Sequence, residues 1–220
     1  MKLSENAKQL LEARYLLKNT EGKIIESPEE LFGRVAKYVA SVETKDRKKW
    51  ENKFYDLLAN LHFLPNSPTL MNAGLPNGQF SACFVLPVED SLDSIFTTLK
   101  DMAMIHQSGG GTGYNFSQLR PHGDIVSSSG GVSSGPMAFI KIYDTATEHV
   151  RQGGKRRGAN MGILNVDHPD IEEFILSKSE GNILQNFNLS VGITDDFMQA
   201  VESGGDWKLI NPHTDFILSS

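Results

Sequence analysis

From residue 80 onward the sequence repeats one pattern, in which a short apolar run is followed by a turn and a longer amphipathic segment. The apolar runs predict strands at residues 80–87, 112–117, 160–166, 186–193 and 207–210. The amphipathic segments predict helices at residues 92–107, 136–151, 169–178 and 194–201. Strands that alternate with helices are typical of a parallel sheet or barrel, so we predict an α/β fold with its functional loops at the carboxyl ends of the strands.

Residues 1–62 lack this alternation and predict a helical N-terminal layer that packs against and supports the rest. Its helices are expected at residues 5–18, 28–42 and 45–61, and the second is preceded by a capping box formed by Ser27 and Glu30. Prolines and small polar residues between positions 65 and 78 predict an extended loop. We therefore place the domain boundary between residues 62 and 63.

The composition excludes several classes of protein. With 39% hydrophobic and 22% charged residues, the chain is expected to fold rather than remain disordered. Its net charge of -6 argues against a surface built for nucleic acid. No apolar run approaches the ~18 residues that span a bilayer, and the polar N-terminus does not resemble a signal peptide. We expect a cytoplasmic protein with no membrane or nucleic-acid partner.

Three glycine-rich stretches, at residues 108–113, 127–136 and 152–161, interrupt the pattern. The first precedes a predicted strand, so it lacks the strand–glycine–helix order of a dinucleotide-binding fingerprint. The third carries three consecutive cations, from Lys155 to Arg157, between glycines. Such a segment is either a mobile clamp for phosphate or a solvated charged surface, and the sequence leaves both interpretations open.

Cys83 is the only cysteine, so it cannot form a disulfide within this chain. It lies in the near-continuous apolar run at residues 80–87, which predicts a strand buried on both faces. A lone buried cysteine is usually an inert small hydrophobic residue. The neighbouring Ser81 and the polar turn at residues 66–68 favour the alternative, a thiol that lines a substrate pocket.

Asp90, Ser91 and Arg120 each have a structural and a functional interpretation. Asp90 and Ser91 precede a predicted helix, where they either cap its N-terminus or bind a ribose or base edge. Arg120 is either a surface ion-pair partner or a phosphate ligand. The six histidines are scattered without the spacing of metal ligands, so we predict no metal site.

Taken in order, several stretches resemble the large catalytic subunit of ribonucleotide reductase, and in particular its adenosylcobalamin-dependent class. They lie at residues 65–69, 81–83, 89–91, 109–120, 130–136, 152–161 and 167–174. The resemblance implies a ten-stranded α/β barrel of the type shared with glycyl-radical enzymes, preceded by a helical layer. This chain would then comprise a helical domain at residues 1–62 and an incomplete first half-barrel at residues 63–220.

The resemblance also implies residue roles. Cys83 would be one of the redox cysteines that reduce the ribose, and the substrate nucleotide would be lined by Ser67, Ala82, Cys83 and Gly111. Residues 127–136 and 152–160 would be the first and second specificity loops, the second lying between effector and substrate. An allosteric effector would be bound by Asp90, Ser91, Arg120, Gln152, Lys155 and Arg156.

The implied activity is the conversion of ribonucleotides, as di- or triphosphates, to the deoxyribonucleotides required for DNA replication. Adenosylcobalamin would supply a radical, a cysteine thiyl would remove the hydrogen at the ribose 3′ carbon, and a cysteine pair would provide the electrons. Deoxynucleoside triphosphates or ATP would be the effectors. The expected partners are a second copy in a homodimer, a thioredoxin-type reductant, and the remaining C-terminal portion of the reductase.

With a single cysteine, this chain lacks the thiyl cysteine and the second redox cysteine that the chemistry requires. We therefore expect it to be inactive by itself. Two alternatives stay open: a non-catalytic module that binds deoxynucleotides and dimerises, and the large subunit of a class I reductase, whose radical comes from a diiron or dimanganese partner.

Overall fold

In the computed structural model the chain divides into two compact units, Met1–Ala82 and Cys83–Ser220. Residues 63–82, which the sequence prediction assigned to the barrel, group with the helices. The structure describes residues 3–76, 78–126, 130–150, 158–179, 181, 183–214 and, for the backbone, 217–218. Within these residues, no helix is both long and apolar enough to cross a membrane.

The first unit is helical, as predicted. Its helices are α1 (Glu5–Arg14), α2 (Pro28–Ala40), α3 (Arg47–Ala59) and α4 (Ser67–Asn72). The capping box at Ser27 and Glu30 is present and starts α2. The core of the unit is formed by apolar residues of all four helices, including Leu11, Leu31, Phe32, Val35, Leu58 and Leu70.

Helix α4 contradicts the prediction of an extended loop at residues 65–78. The Asn66 side chain accepts a hydrogen bond from the backbone N–H of Thr69, which caps the helix. Pro68 lies in the first turn, where a missing N–H costs nothing. The proline that suggested a loop therefore starts a short helix instead.

A buried ion pair connects the parts of the first unit. The Arg34 Nε donates to Glu26 Oε1 at 2.6 Å, and the side chains are only 14% and 5% exposed. Arg34 also donates to the carbonyl oxygens of Ala73 at 2.6 Å and Leu70 at 3.2 Å. The other oxygen of Glu26 accepts from the Leu17 N–H at 3.1 Å. One charged pair thus ties α2 to both the segment after α1 and the end of α4.

The second unit is built on a four-stranded sheet whose neighbouring strands are all parallel, in the order β1-β2-β5-β6. Its strands are β1 (Cys83–Leu86), β2 (Gly111–Asn115), β5 (Asn160–Asn165) and β6 (Phe187–Gly192). The helices are α5 (Leu92–Ser108), α6 (Gly135–His149), α7 (Ile171–Leu176) and α8 (Asp195–Ser203). The predicted strand–helix alternation and parallel sheet are confirmed.

Two short antiparallel ribbons lie outside this sheet. In one, β3 (Ile125–Val126) pairs with β4 (Gly131–Val132), within a segment that the sequence suggested only as a glycine-rich loop. In the other, β7 (Leu209–Ile210) pairs with β8 (Ile217–Leu218), so the last predicted strand does not extend the parallel sheet.

The core of the second unit lies between the sheet and its helices and is rich in aromatic rings. Tyr114, Phe116 and Phe187 on the sheet side contact one another and Tyr143 of α6, with ring centroids 5.2 to 6.4 Å apart. Each of these four side chains is at most 2% exposed. Such packing fixes the position of β2 relative to α6. It therefore also fixes where the segments that follow β2 and α6 begin.

Strand β1 is not buried on both faces, and this prediction was wrong. Among the described residues it is an edge strand that pairs only with β2, and its residues alternate between exposed and half-buried. Cys83 is exposed, and Val85 is 86% exposed. An apolar run shows that a strand is suited to burial, but the position of the strand in the sheet decides which of its faces are covered.

Candidate functional site

The second unit contains an open cleft of about 530 Å³ that brings together Asp90, Ser91 and Arg120. Asp90 and Ser91 precede α5, and Arg120 belongs to the segment that follows β2. Ser133 and Ser134, between β4 and α6, complete the polar part of the lining. Three residues that the resemblance assigned to one ligand therefore share one cleft with Val132, Ser133 and Ser134 of the predicted first specificity loop.

Within the cleft, Arg120 and Asp90 form a close ion pair. The Arg120 Nε and Nη2 lie 2.6 Å and 2.5 Å from Asp90 Oδ2, and the backbone N–H of Arg120 donates to Asp90 Oδ1 at 3.0 Å. The hydrogen bond that Arg120 donates to the Asp90 carboxylate raises the pKa of Arg120 above its ordinary value. Among the described residues, the remaining nitrogen, Nη1, makes only a long contact of 3.4 Å with the Ile125 carbonyl oxygen. Arg120 is thus held in one orientation with donor capacity left for a ligand.

Ser91 caps α5: its side-chain oxygen accepts from the Ser94 N–H at 3.1 Å. The structural interpretation of Ser91 is therefore correct. It does not exclude ligand binding, since a helix of 17 residues directs its positive dipole end and free backbone N–H groups toward this position.

His213 also belongs to this site, although the sequence interpretation treated it as one of several scattered histidines. Its Nε2 donates to the Gln118 carbonyl oxygen at 2.8 Å and lies 3.2 Å from Asp90 Oδ2. Nearby, the Asn211 amide donates to Asp124 Oδ2 at 3.1 Å. The segment after β7 is thereby attached to the loop that carries Arg120. No local pattern could have signalled contacts between residues so far apart in sequence.

Cys83 and Gly111 face each other across β1 and β2, where they are register partners. Both stand at the amino ends of their strands, whereas Asp90 and Arg120 follow the carboxyl ends. The cleft therefore lies at the carboxyl ends of the strands, where functional loops are predicted, and Cys83 lies at the amino ends. Because all strands of a parallel sheet run in the same direction, their amino ends and carboxyl ends lie on opposite sides of the sheet. The two candidate sites therefore lie at opposite ends of the strands.

The other two predicted substrate residues belong to the first unit. The Ser67 hydroxyl lies 2.9 Å from the hydroxyl of Tyr15, and Ala82 is the half-buried last residue of that unit. Gln152, Lys155 and Arg156 lie outside the described residues, as do residues 127–129 of the predicted first specificity loop. Among the described residues, no group of three or more His, Cys, Asp or Glu side chains could hold a metal ion.

A buried polar network, also missed from sequence, lies at the amino end of the sheet. His106 is fully buried, and its Nε2 lies 2.9 Å from the Thr112 hydroxyl. Thr112 donates to Asn160 Oδ1 at 2.9 Å and accepts from the Tyr114 hydroxyl at 2.7 Å. The Asn160 amide continues to Thr147 at 2.7 Å. The network joins α5, β2, β5 and α6.

Burial lowers the pKa of His106 below its ordinary value of 6.5, and the nearby Ala159 carbonyl offsets this only in part. Unfolded chains therefore bind this proton at higher pH than folded ones. The free energy of unfolding should fall as the pH drops below about 6.5, by at most about 1.4 kcal/mol per pH unit from this residue. Tyr114, which donates to Thr112 in the same network, stays neutral over this pH range because burial raises its pKa.

The variant His106→Gln keeps an amide donor near Nε2 but cannot titrate. We expect the difference in unfolding free energy between wild type and this variant to shrink as the pH falls from about 7.5 to 5.5. Urea unfolding at several pH values measures this difference, in which the other titrating groups cancel. A difference independent of pH would contradict the assignment.

Both parts of the chain match models of known protein families. The family model described as "Ribonucleotide reductase, all-alpha domain" matches residues 1–78, and "Ribonucleotide reductase, barrel domain" matches residues 81–219. The chain belongs to the ribonucleotide reductase large-subunit family. The helical layer and the start of the α/β barrel, both predicted from sequence, are thus the family fold.

Individual reductases agree with the family models. The "Vitamin B12-dependent ribonucleoside-diphosphate reductase" of Mycobacterium tuberculosis is 50% identical over 100% of this chain and 32% of the relative. Its counterpart in Thermoplasma acidophilum is 46% identical over 99% of this chain and 36% of the relative. The "Ribonucleoside-diphosphate reductase subunit alpha" of Chlamydia trachomatis is 34% identical over 87% of this chain and 19% of the relative. The chain spans about a third of the length of the B12-dependent relatives.

Proposed function

We propose that this chain is the N-terminal portion of a B12-dependent ribonucleotide reductase, and that it carries one redox cysteine and an effector site. The observation that carries the proposal is the convergence of Asp90, Ser91 and Arg120 in one cleft. The identity of 46% and 50% to B12-dependent relatives, over nearly the whole chain, exceeds the 34% identity to the subunit alpha of Chlamydia trachomatis and supports the B12-dependent class.

In the cleft, Arg120 binds an effector phosphate. Its guanidinium is fixed by Asp90 and keeps a nitrogen that makes only one long hydrogen bond. The N-terminus of α5 adds backbone N–H groups and a positive dipole end that favour an anion. The volume of about 530 Å³ lies within the range of small-ligand clefts. A deoxynucleoside triphosphate or ATP supplies the phosphate, and Asp90 and Ser91 contact the nucleotide beside it.

At the opposite end of the sheet, Cys83 acts as one member of a dithiol. The pair is oxidised to a disulfide and provides two electrons and two protons, while the ribose 2′ hydroxyl leaves as water. The second thiol lies outside this chain, which contains one cysteine. Gly111, opposite Cys83, has no side chain to obstruct a nucleotide that approaches the strand. The names of the B12-dependent relatives make a ribonucleoside diphosphate the proposed substrate.

Adenosylcobalamin is the proposed source of the radical, and we assign no residue of this chain to it. A second copy of the chain, a thioredoxin-type reductant and the C-terminal portion of the reductase are the proposed partners.

Replacing Arg120 by alanine in the complete protein should weaken effector binding by about 2 kcal/mol, because a charged hydrogen bond is lost. Isothermal titration calorimetry with a deoxynucleoside triphosphate measures this change in affinity. Arg47→Ala is the matched control, since Arg47 lies on α3 and makes only long contacts with the Glu43 carbonyl oxygen. Equal affinities for all three proteins would remove Arg120 from the effector site.

A further inference from the structure

The turn between β5 and α7 contains a buried histidine that contacts the segment carrying Arg120. The His168 side chain is 2% exposed, and its Nε2 lies 2.8 Å from the Leu119 carbonyl oxygen. The backbone N–H of Asp170 donates to Nδ1 at 3.0 Å. A backbone N–H can only donate and a carbonyl oxygen can only accept, so Nδ1 is the acceptor and Nε2 the donor. His168 therefore holds the residue directly before Arg120.

Asp170 holds the same segment on the other side of Arg120. Its Oδ2 accepts a hydrogen bond from the backbone N–H of His122 at 2.9 Å. A Cβ atom on Gly135, the first residue of α6, would lie 2.7 Å from this oxygen and 2.8 Å from the His122 nitrogen. The carboxylate therefore fits closely between the Arg120 segment and the start of α6, next to the cleft residue Ser134.

These hydrogen bonds fix the backbone around Arg120 from outside the cleft. Leu119 and Arg120 line the cleft, whereas neither His168 nor Asp170 is among its described lining residues. The peptide group between Leu119 and Arg120 is held at both of its polar atoms. His168 donates to its oxygen at 2.8 Å, and its N–H donates to Asp90 Oδ1 at 3.0 Å. The backbone from which the guanidinium extends is thus fixed as firmly as the guanidinium itself.

We infer that His168 and Asp170 are positioning residues of the effector site, which hold the backbone on both sides of Arg120 so that its guanidinium meets the ligand phosphate in one place. The inference rests on the proposed function of the cleft. Burial of an imidazole is costly unless its nitrogens are paired, and an apolar side chain would fill the core at lower cost. Positioning of Arg120 accounts for a polar residue here. The family resemblance includes residues 167–174 but implies no role for them.

The test measures effector affinity in the complete protein and compares the variants in pairs. His168→Asn keeps an acceptor near Nδ1 but removes the donor to Leu119, whereas His168→Gln places an amide N–H near Nε2. Asp170→Ala removes the acceptor for His122, whereas Asp170→Asn keeps an amide oxygen there. His149→Asn, at the exposed end of α6, is the control. Isothermal titration calorimetry with a deoxynucleoside triphosphate gives the dissociation constants, and urea unfolding shows that each variant is folded.

We expect His168→Asn and Asp170→Ala to raise the dissociation constant at least about fivefold, which corresponds to the loss of one hydrogen bond. His168→Gln, Asp170→Asn and His149→Asn should stay within about twofold of wild type. In an Arg120→Ala background the two loss variants should have no further effect on affinity, because the side chain that they position is absent.

A loss of the same size with and without Arg120 would show that the two residues only support the fold, and would overturn the inference. Wild-type affinity in both loss variants would overturn it as well. Because His168 and Asp170 are tested separately, the second pair decides the question if a variant of the first does not fold. Wild-type affinity in Arg120→Ala would instead overturn the proposed function of the cleft, and the inference with it.

Discussion

Replacing Cys83 by serine in the complete reductase is expected to lower ribonucleotide reduction by at least about a thousandfold, the scale on which loss of an essential reacting group is felt. A hydroxyl cannot be oxidised to a disulfide, so the variant has no dithiol to provide the two electrons. Cys83 is exposed in the described structure, and serine keeps the shape of the side chain. Folding and effector affinity should therefore stay at wild-type values.

The assay follows deoxyribonucleotide formation with adenosylcobalamin and a dithiol reductant. Wild type without adenosylcobalamin gives the background and also separates the proposed B12-dependent class from class I. Effector titration of the same preparation shows that the variant is folded. Turnover of Cys83→Ser within about tenfold of wild type would exclude Cys83 from the redox pair.

Replacing Arg34 by methionine is expected to lower the free energy of unfolding by about 3 kcal/mol. The side chain keeps its length and apolar stem, but the Glu26 carboxylate stays buried with only the Leu17 N–H as a donor. The carbonyl oxygens of Leu70 and Ala73 lose their donor as well. The loss of one partner leaves a buried charge uncompensated, and this cost exceeds the contribution of the intact pair.

Lys48→Met provides the control, because Lys48 pairs with Glu51 on the surface and is 75% exposed. That change should cost no more than about 0.5 kcal/mol. Urea unfolding followed by circular dichroism compares the two variants. Equal stabilities would show that Arg34 contributes no more than a surface charge. The double variant Glu26→Gln with Arg34→Met should recover part of the loss, since no buried charge remains.

The order of helices and strands was predictable because its signals are local. Ser27, Ser91 and Thr194 cap helices where the sequence places them, and the apolar periods between them are short-range. The exposure of β1 was not predictable, because it depends on which strands flank it. Helix α4 was missed because the sequence Asn66-Ser67-Pro68 suits both a loop and a capped first turn.

The candidate site was predictable only in part. The resemblance indicated Asp90, Ser91 and Arg120, and the structure brings them together in one cleft. His213 and the network around His106 carry no motif, since their partners lie on other elements of the fold. Long-range hydrogen bonds of this kind become visible only when the strand order is known.

The opposite placement of the cleft and Cys83 has an electrostatic consequence. Strand β1 has four residues, or about 13 Å of extended chain, and the cleft lies beyond its end. Mobile ions screen exposed charges over about 8 Å at physiological ionic strength. The negative charge of a triphosphate in the cleft is therefore largely screened at the exposed thiol. Changing the charge of the bound nucleotide should therefore leave the electrostatic potential at Cys83 nearly unchanged at physiological ionic strength.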